Sequence, residues 1–260
     1  MSDFLMEMGV LSAARAAVLD TVALDAKAHH MPSPLAIERD GFGIIAEVKF
    51  STPSEGILDA PLDPVQAAVS RAEVYAQAGA CAISVLTEPT RFGGDLTHLA
   101  AVAAAVDVPV MRKDFLVDPA QVLEARVHGA AGVLLIVRML SDVRLDQMVE
   151  LAHELDMFVL LEAFDEDDLS RAARFPGTMV GLNCRDLSTL GVDPERFAAL
   201  IDAFPSDCIR VAESGLRDAH DVHGVDEMGY EMALVGSALM SASDPGRLIE
   251  AMRNGRGVTT

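Results

Sequence analysis

The feature that most constrains the fold is an alternation, repeated eight times, of short apolar runs with longer amphipathic stretches rich in alanine. The runs are rich in Val, Ile and Leu and lie at 43–49, 81–86, 108–113, 132–137, 157–162, 179–183, 209–213 and 231–236. Strands that alternate with helices build parallel sheets. Eight such units in a chain of 260 residues predict an α/β fold, a TIM (β/α)8 barrel formed by residues 43–260.

The amphipathic stretches begin with residues that commonly start helices. We expect helices to begin near Asp63, Gly94, Asp118, Ser141, Asp165, Asp193, Arg217 and Asp244. Asp and Ser side chains accept hydrogen bonds from the first backbone amides of a helix, and the proline that follows several of these Asp residues suits the first helical position. Residues 1–42 precede the barrel and predict an N-terminal helical extension, with one helix over 11–28 and a loop at "HHMPSP".

A doubly wound sheet is the alternative fold, because it also alternates strands with helices. Such a sheet favours a glycine-rich fingerprint directly after its first strand. The sequence at that point is "STPSEG", which does not have this pattern. The eightfold repeat therefore favours the barrel.

Composition limits the classes of partner. The formal charge of −20 and the lack of a basic patch argue against nucleic acid and against an anionic membrane surface. Cys81, Cys184 and Cys208 form no C-x-x-C pair, so neither a disulfide framework nor a zinc site is indicated. No apolar run reaches the ~18 residues of a membrane-spanning helix, and residues 1–30 lack the pattern of a signal peptide. We expect a cytoplasmic protein.

Charged and polar residues stand where most of the predicted strands end. They are Glu47, Lys49, Lys113, Glu162, Asn183, Glu213 and Ser214. The carboxyl ends of the strands form the catalytic face of a TIM barrel, and alternate strands contribute to the same layer of its interior. A single charged residue at a strand end is commonly solvated, but five charged residues at matching positions indicate a functional site. Lysine as general acid and glutamate as general base is the chemistry that this set supports.

Two glycine turns provide a second feature. "AESG" follows the seventh strand with Gly215, and "LVGSALM" follows the eighth with Gly236 and Ser237. The loops after strands 7 and 8 are the common phosphate site of this fold, where the amides at a helix N-terminus meet the anion. These turns predict a phosphate-bearing small molecule as substrate.

Several motifs in sequence order resemble the indole-3-glycerol phosphate synthase family. They are "AEVKFSTPSEG", "SVLTEPTRFGGDLTHL", "VPVMRKDFLVDPAQVLEARVHGAAGVLLIV", "LAHELDMFVLLEAFDEDDL", "GLNCRDLSTLGVD", "VAESGLRDAHDV" and "LVGSALMSASDPG". The resemblance covers 43–250 and implies a TIM barrel that closes an indole ring. The implied reaction converts 1-(2-carboxyphenylamino)-1-deoxyribulose 5-phosphate to indole-3-glycerol phosphate with loss of carbon dioxide and water. It implies no cofactor and no metal.

The resemblance also implies roles for individual residues. Lys113 corresponds to the acid that polarises the ribulose carbonyl, Lys49 holds substrate and shares proton transfers, and Glu47 and Glu162 serve the dehydration. Asn183 and Glu213 orient polar groups of the substrate. The implied substrate-binding residues are Thr52, Phe92, Phe115, Leu134, Arg185 and Ser214, and the implied phosphate-binding residues are Lys49, Gly215, Gly236 and Ser237.

The sequence departs from the family pattern at four places. Phe50 stands where the family has arginine, Thr52 replaces the serine of S-P-S, and "LEAF" replaces V-E-V-H, which leaves Ala163 and Phe164. An F-x-x-A-L segment normally precedes the first strand closely, whereas "DFLMEM" here stands at residues 3–8. These changes leave open a paralogue that acts on a modified anthranilate or another sugar phosphate.

Further alternatives concern function and assembly. A sugar-phosphate isomerase would share the fold but fits the combination of Lys113, Glu162 and Asn183 poorly. A barrel that binds metabolites without turnover would not need this set of charges. His220 and His223 are three residues apart on one predicted helix, but no third metal ligand is evident. We expect a monomer, with a weak homo-oligomer as the alternative.

Overall fold

The computed structural model describes residues 2–187 and 189–254, and in that part of the chain eight parallel strands close into a barrel. The barrel strands are β1 Gly43–Val48, β2 Ala82–Leu86, β3 Val110–Lys113, β4 Gly132–Ile136, β5 Phe158–Ala163, β6 Met179–Asn183, β7 Ile209–Glu213 and β8 Met232–Val235. Each strand pairs with its sequence neighbours, and β8 pairs with β1 through Gly43 and Met232. The predicted TIM barrel and all eight predicted strands are confirmed.

The helices follow the strands in the predicted order. They are α1 Asp3–Ala16, α2 Thr21–Ala28, α3 Pro64–Gln77, α4 Leu96–Ala105, α5 Pro119–Val127, α6 Asp142–Glu154, α7 Glu166–Ala172, α8 Glu195–Leu200, α9 Ala219–Met228, α10 Ser237–Ser241 and α11 Pro245–Arg253. Short 3-10 helices occupy Val137–Met139 and Ile201–Ala203. Asp63, Asp118 and Asp244 cap helices whose first residue is proline, as predicted.

The prediction of one helix over 11–28 is wrong. Two helices, α1 and α2, occupy this region, and the first begins eight residues before the predicted start. The chain turns between them because the carboxylate of Asp20 accepts a hydrogen bond from the Ala23 amide, 3.0 Å away, and starts a new helix there. The N-terminal segment therefore bends between two helices, although its alanine-rich sequence favours one continuous helix.

Helix α1 is fixed to the barrel by apolar and polar contacts. Leu5 and Met8 are buried in the same cluster as the residues that point into the barrel. Ser12 accepts a hydrogen bond of 2.9 Å from Gln121, and Arg15 donates one of 2.6 Å to Asp114. These contacts hold the first turn of α1 beside the carboxyl ends of the strands.

The core has an outer and an inner layer, as alternating side chains of buried strands require. Ile44 and Ala46 of β1 pack in the outer layer against the helices, whereas Ile45 packs in the inner layer. Phe50 lies in the outer layer with its ring 5.5 Å from that of His98. The replacement of arginine by Phe50 is therefore a packing change on the side away from the barrel axis.

No helix in the described part of the chain combines the length and the apolar character that crossing a membrane requires.

Candidate active site

A cavity of about 680 Å³ opens at the carboxyl ends of the barrel strands. It brings together every site residue predicted from the sequence, namely Glu47, Lys49, Thr52, Phe92, Lys113, Phe115, Leu134, Glu162, Asn183, Arg185, Glu213, Ser214, Gly215, Gly236 and Ser237. Residues from all eight barrel strands or the loops after them thus meet in one place. Convergence of this kind follows from parallel strands, whose carboxyl ends all lie on one face.

Lys113 lies at the centre of this cavity. Its Nζ donates a hydrogen bond of 2.9 Å to Glu162 Oε2 and lies 3.6 Å from Glu213 Oε2. Asn183 Nδ2 donates to the other oxygen of Glu162 at 3.0 Å, so this carboxylate is held from both sides. The carboxylate and ammonium therefore have fixed positions before any ligand binds.

A second ion pair joins Glu47 to Lys49. The two residues project on the same side of the chain, and Lys49 Nζ lies 2.7 Å from Glu47 Oε1. Gly236 faces this pair so closely that a Cβ there would overlap Glu47 and lie 2.8 Å from Lys49 Nζ. The absence of a side chain at 236 leaves the lysine head group accessible from the turn that opens α10.

Burial and charge perturb the ionisation of two central groups. Burial alone would lower the pKa of the Lys113 ammonium. The surrounding carboxylates, Glu162 first and then Glu213 and Glu47, outweigh burial and raise that pKa above its ordinary value. The lysine is thus charged at neutral pH and is available as a proton donor.

At Glu213, burial outweighs the effect of the neighbouring ammonium on the pKa. Burial and the neighbouring Glu162 carboxylate outweigh the attraction of Lys113 and raise the pKa of Glu213 to about 8. Both of its side-chain oxygens are buried and accept no hydrogen bond from the described residues. A buried carboxyl group without donors is costly when ionised, so Glu213 favours the protonated form at neutral pH.

A glutamine at position 213 is expected to flatten the pH dependence of stability. The unfolded chain releases this proton near pH 4.5, whereas the folded chain retains it to about pH 8. The folded state binds more protons in this window, so the free energy of unfolding of the wild type falls as the pH rises through it. Urea denaturation at several pH values should show a smaller fall for Glu213→Gln than for the wild type. Parallel curves, matching those of the exposed control Glu166→Gln, would contradict the raised pKa.

Gly181 is a functional position that the sequence analysis missed. A Cβ at Gly181 of β6 would overlap Glu213 Oε1. The sequence feature that points to this position is a glycine inside a predicted strand, because such a glycine commonly marks the close approach of another group. The glycine makes room for the Glu213 carboxyl group beside the neighbouring strand.

The apolar wall of the cavity contains an aromatic group that the sequence analysis only partly identified. The ring centroid of Phe115 lies 5.9 Å from that of Phe92 and 5.7 Å from that of Phe4. Phe92 and Phe115 were predicted, but Phe4 was not, because it lies in α1, far from the barrel in sequence. The apolar residues of "DFLMEM" are the available signal in the sequence, and Phe4 of this segment lines the cavity.

Other lining residues come mainly from loops. Lining residues that were not predicted as site residues include Pro53, Ser54, Glu55, Leu187, Leu190, Val192, Pro194, Leu216, Arg217 and Ser241. Thr52 lies in a short hairpin formed by Ser51–Thr52 and Gly56–Ile57, with its hydroxyl 3.2 Å from that of Ser54. The loop after β1 thus places two hydroxyl groups at the cavity.

Comparison with known proteins identifies the family. A family model described as indole-3-glycerol phosphate synthase matches residues 7–252. The indole-3-glycerol phosphate synthase of Mycolicibacterium smegmatis is 42% identical over 237 residues, which cover 90% of this chain and 86% of that protein. The indole-3-glycerol phosphate synthase of a Parafrankia species is 44% identical over 231 residues, which cover 87% of this chain and 85% of that protein.

Among solved structures, 3-hexulose-6-phosphate synthase from Salmonella typhimurium is similar with a TM-score of 0.66 and 14% identity, covering 82% of this chain and 97% of that one. At this identity the similarity concerns the barrel fold alone. The family model and the two relatives, each matched over most of its length, agree with the motifs and with the cavity that collects them. The chain belongs to the indole-3-glycerol phosphate synthase family and is a carboxy-lyase.

Proposed function

We propose that the cavity converts 1-(2-carboxyphenylamino)-1-deoxyribulose 5-phosphate to indole-3-glycerol phosphate. The observation that carries the proposal is the ammonium of Lys113, held at 2.9 Å from Glu162 and 3.6 Å from Glu213 in a cavity with an aromatic wall. The reaction needs an acid at a carbonyl oxygen, a base at a ring carbon and an apolar surface for the aryl group. This cavity has all three.

Lys113 is the acid of the ring closure. As the aryl ring attacks the ribulose carbonyl, negative charge develops on the carbonyl oxygen, and a positioned ammonium stabilises that charge and donates a proton. The pKa of Lys113 is raised by Glu162, so the group is protonated when substrate arrives. Loss of carbon dioxide then leaves an electron pair in the ring system.

Dehydration and restoration of the aromatic ring need a second proton donor and a base. Lys49, paired at 2.7 Å with Glu47, is a second donor that lines the same cavity. Glu162 and Glu47 are the carboxylates that accept the ring proton. Asn183 holds Glu162, and Glu213 contacts polar groups of the sugar, with Arg185 and Ser214 beside them.

The phosphate group binds at the turns after β7 and β8. Gly215, Gly236 and Ser237 line the cavity there, and Lys49 approaches Gly236. In this fold the loops after the last two strands and a short helix form the common phosphate site. Ser214 and Gly215 both have positive φ, of 70° and 75°, which turns the chain sharply at this point.

A glutamate at position 236 is expected to raise KM by at least about tenfold, because a carboxylate replaces the space beside Lys49 and repels the phosphate. Steady-state kinetics and inhibition by inorganic phosphate measure the effect. The control is Gly224→Glu on α9, where an added Cβ meets no atom within 4 Å. If a folded, active Gly236→Glu variant is inhibited by phosphate as strongly as the wild type, the phosphate binds elsewhere.

The Thr52→Ser change is expected to shift kcat/KM by no more than about 100-fold, since one methyl group in a fitted pocket alters selectivity by about 1–3 kcal/mol. The hydroxyl that contacts the substrate carboxylate is retained. Measurement of kcat/KM for the standard substrate tests this, with Thr21→Ser on the exposed start of α2 as control. A larger shift would mean that Thr52 does more than narrow the pocket.

The proposed reaction is tested by adding the substrate to purified protein and following indole fluorescence. Formation of indole-3-glycerol phosphate at a rate that saturates with substrate supports it. If the folded protein binds sugar phosphates but forms no indole product, this substrate assignment is wrong and a modified anthranilate becomes the next substrate to try.

We also propose that the enzyme is cytoplasmic and monomeric and binds neither nucleic acid nor membranes. The formal charge of −20 supports the last two points. We retain a division into an extension at 1–42 and a catalytic barrel at 43–260, of which Met1, Ser188 and residues 255–260 lie outside the described residues. Sedimentation equilibrium tests the monomer.

A further inference from the structure

A second cavity, of about 350 Å³, lies beside the active site and beneath the start of α1. This side cavity is lined by three arginines, Arg138, Arg185 and Arg196, together with Ser2, Leu5, Phe164, Asp186 and Leu187. The arginines come from three separate parts of the chain, namely the 3-10 helix after β4, the loop after β6 and helix α8. Their convergence is unusual in a chain with a formal charge of −20.

The three guanidinium groups are held in different ways. Arg138 pairs with Asp165 at 2.5 Å and Asp168 at 2.7 Å, and its guanidinium carbon lies 4.6 Å from the centre of the Phe164 ring. Arg138 is thus neutralised and fixed, and it forms a rigid wall. Phe164 is one of the departures from the family pattern.

Arg185 and Arg196 form no ion pair with any carboxylate among residues 2–187 and 189–254. Arg196 donates to the carbonyl of Phe164, and Arg185 donates to the carbonyl of Leu190 at 2.9 Å. Each guanidinium carries five N–H donors, so both retain donors and an unneutralised charge. Asp186 at the exposed rim supplies opposing charge, but the two free guanidinium groups exceed it.

A planar guanidinium binds carboxylate and phosphate oxygens through paired hydrogen bonds. A cavity of this size with two such groups, polar walls and little apolar surface suits a compact oxyanion rather than an aromatic ligand. Ser2, the N-cap of α1, adds a hydroxyl group to the wall. We propose that the side cavity is a second anion site that binds an oxyanion of the phosphate class, separate from the phosphate site in the active-site cavity.

Arg185 connects this site to catalysis because it lines both cavities. Its backbone amide donates to Asn183 Oδ1 at 2.9 Å, and Asn183 in turn donates to Glu162 at 3.0 Å. An anion in the side cavity would draw the Arg185 guanidinium towards it. Because Arg185 holds Asn183, and Asn183 orients the Glu162 carboxylate, the anion would then act on the position of Glu162. The coupling rests on the proposed function, whereas the binding does not.

The test is a titration of the full chain with inorganic phosphate, followed by backbone amide NMR. Two groups of amides are expected to shift with separate Kd values, one around Phe164 and Arg138 and one around Gly236. Arg196→Gln should raise the Kd of the first group at least about tenfold and leave the second unchanged, since it removes one guanidinium. Arg247→Gln, an exposed arginine in α11, is the matched control.

A second variant tests the same proposal if Arg196→Gln does not fold. Ser2→Asp keeps a residue that caps helices well while adding a carboxylate to the cavity wall. It should also raise the Kd of the Phe164 group. If the Phe164 group does not shift in the wild type, or if its Kd is unchanged in both Arg196→Gln and Ser2→Asp, the proposal is wrong.

Two further measurements test which class of anion binds the side cavity and whether its binding reaches Arg185. Acetate should bind the side cavity at least about tenfold more weakly than phosphate, because it has one charge and fewer acceptor oxygens; equal affinity would overturn the phosphate assignment. In Gly236→Glu, phosphate should still shift the Arg185 amide. If the Gly236 group fails to shift in the wild type while the Phe164 group does shift, the active-site phosphate assignment is wrong and the side cavity stands.

Discussion

Replacing Lys113 with alanine is expected to lower kcat by about 10²–10⁴-fold, the usual contribution of a general acid, while substrate still binds. The reason is that the ammonium acts on charge that develops only in the transition state. Lys113 is one of three lysines in the sequence, and it is the one whose Nζ lies within 4 Å of both Glu162 and Glu213. Another lysine at the site, Lys49, is paired with a different carboxylate.

The measurement is single-turnover kinetics together with equilibrium binding of substrate. A loss confined to KM, with kcat unchanged, would contradict the role of Lys113 as an acid. The control is Lys27→Ala, the remaining lysine, which lies in α2 and is exposed. It should behave as the wild type.

A charge-preserving variant separates proton donation from electrostatic attraction. Lys113→Arg retains the positive charge near Glu162, but guanidinium does not release its proton in proteins. The arginine variant is therefore expected to remain far below wild-type kcat. If it restores most of the activity, Lys113 acts as a fixed charge and the proton comes from another group.

Removal of the ammonium also affects folding, which must be measured separately. The carboxyl groups of Glu162, Glu213 and Glu47 would then share one region with Lys49 as the remaining nearby cation. Lys113 opposes the rise in the pKa of Glu213, so its removal should raise that pKa further, and the variant should lose more stability than the wild type as the pH rises. Thermal denaturation at the pH of the kinetic assay shows whether the measured kcat belongs to folded protein.

The sequence predicted the barrel because its signals are local and repeated. Each strand is a short buried run, and Asp63 and Asp118 start helices in the segments between strands. The catalytic face was predictable for the same reason, since the carboxyl ends of parallel strands must meet. Lys113, Glu162 and Glu213 thus needed no knowledge of loop conformation.

The structural features that were not predicted from the sequence depend on contacts between segments far apart in the chain. Phe4 reaches the aromatic wall only because α1 is fixed to the barrel through Ser12 and Arg15. The side cavity needs Arg138 and Arg196 to converge, and no local pattern relates two arginines that are far apart in the chain. The bend after α1 was missed because alanine-rich segments favour helix on both sides of Asp20.

The conversion of Glu162 to glutamine is expected to lower kcat by about 10²–10⁴-fold, because the amide cannot accept the ring proton. Glutamine has nearly the same shape as glutamate, but the substitution also changes the hydrogen bonds at this position. In the wild type one oxygen accepts from Lys113 at 2.9 Å and the other accepts from Asn183 at 3.0 Å. Glutamine has one oxygen, so its NH₂ group must face one of these two donors.

Loss of a base and loss of this positioning have different signatures. If Glu162 is the base, Glu162→Asp, which keeps a carboxylate, should recover part of the activity that Glu162→Gln loses. If Glu162 only positions Lys113, the glutamine oxygen can still accept the hydrogen bond from Lys113, so the loss of kcat in Glu162→Gln should be much smaller. Glu166→Gln, an exposed residue in α7, is the matched control and should retain wild-type kcat. Wild-type kcat in folded Glu162→Gln would remove this residue from the mechanism and leave Glu47 as the carboxylate to test for the ring proton.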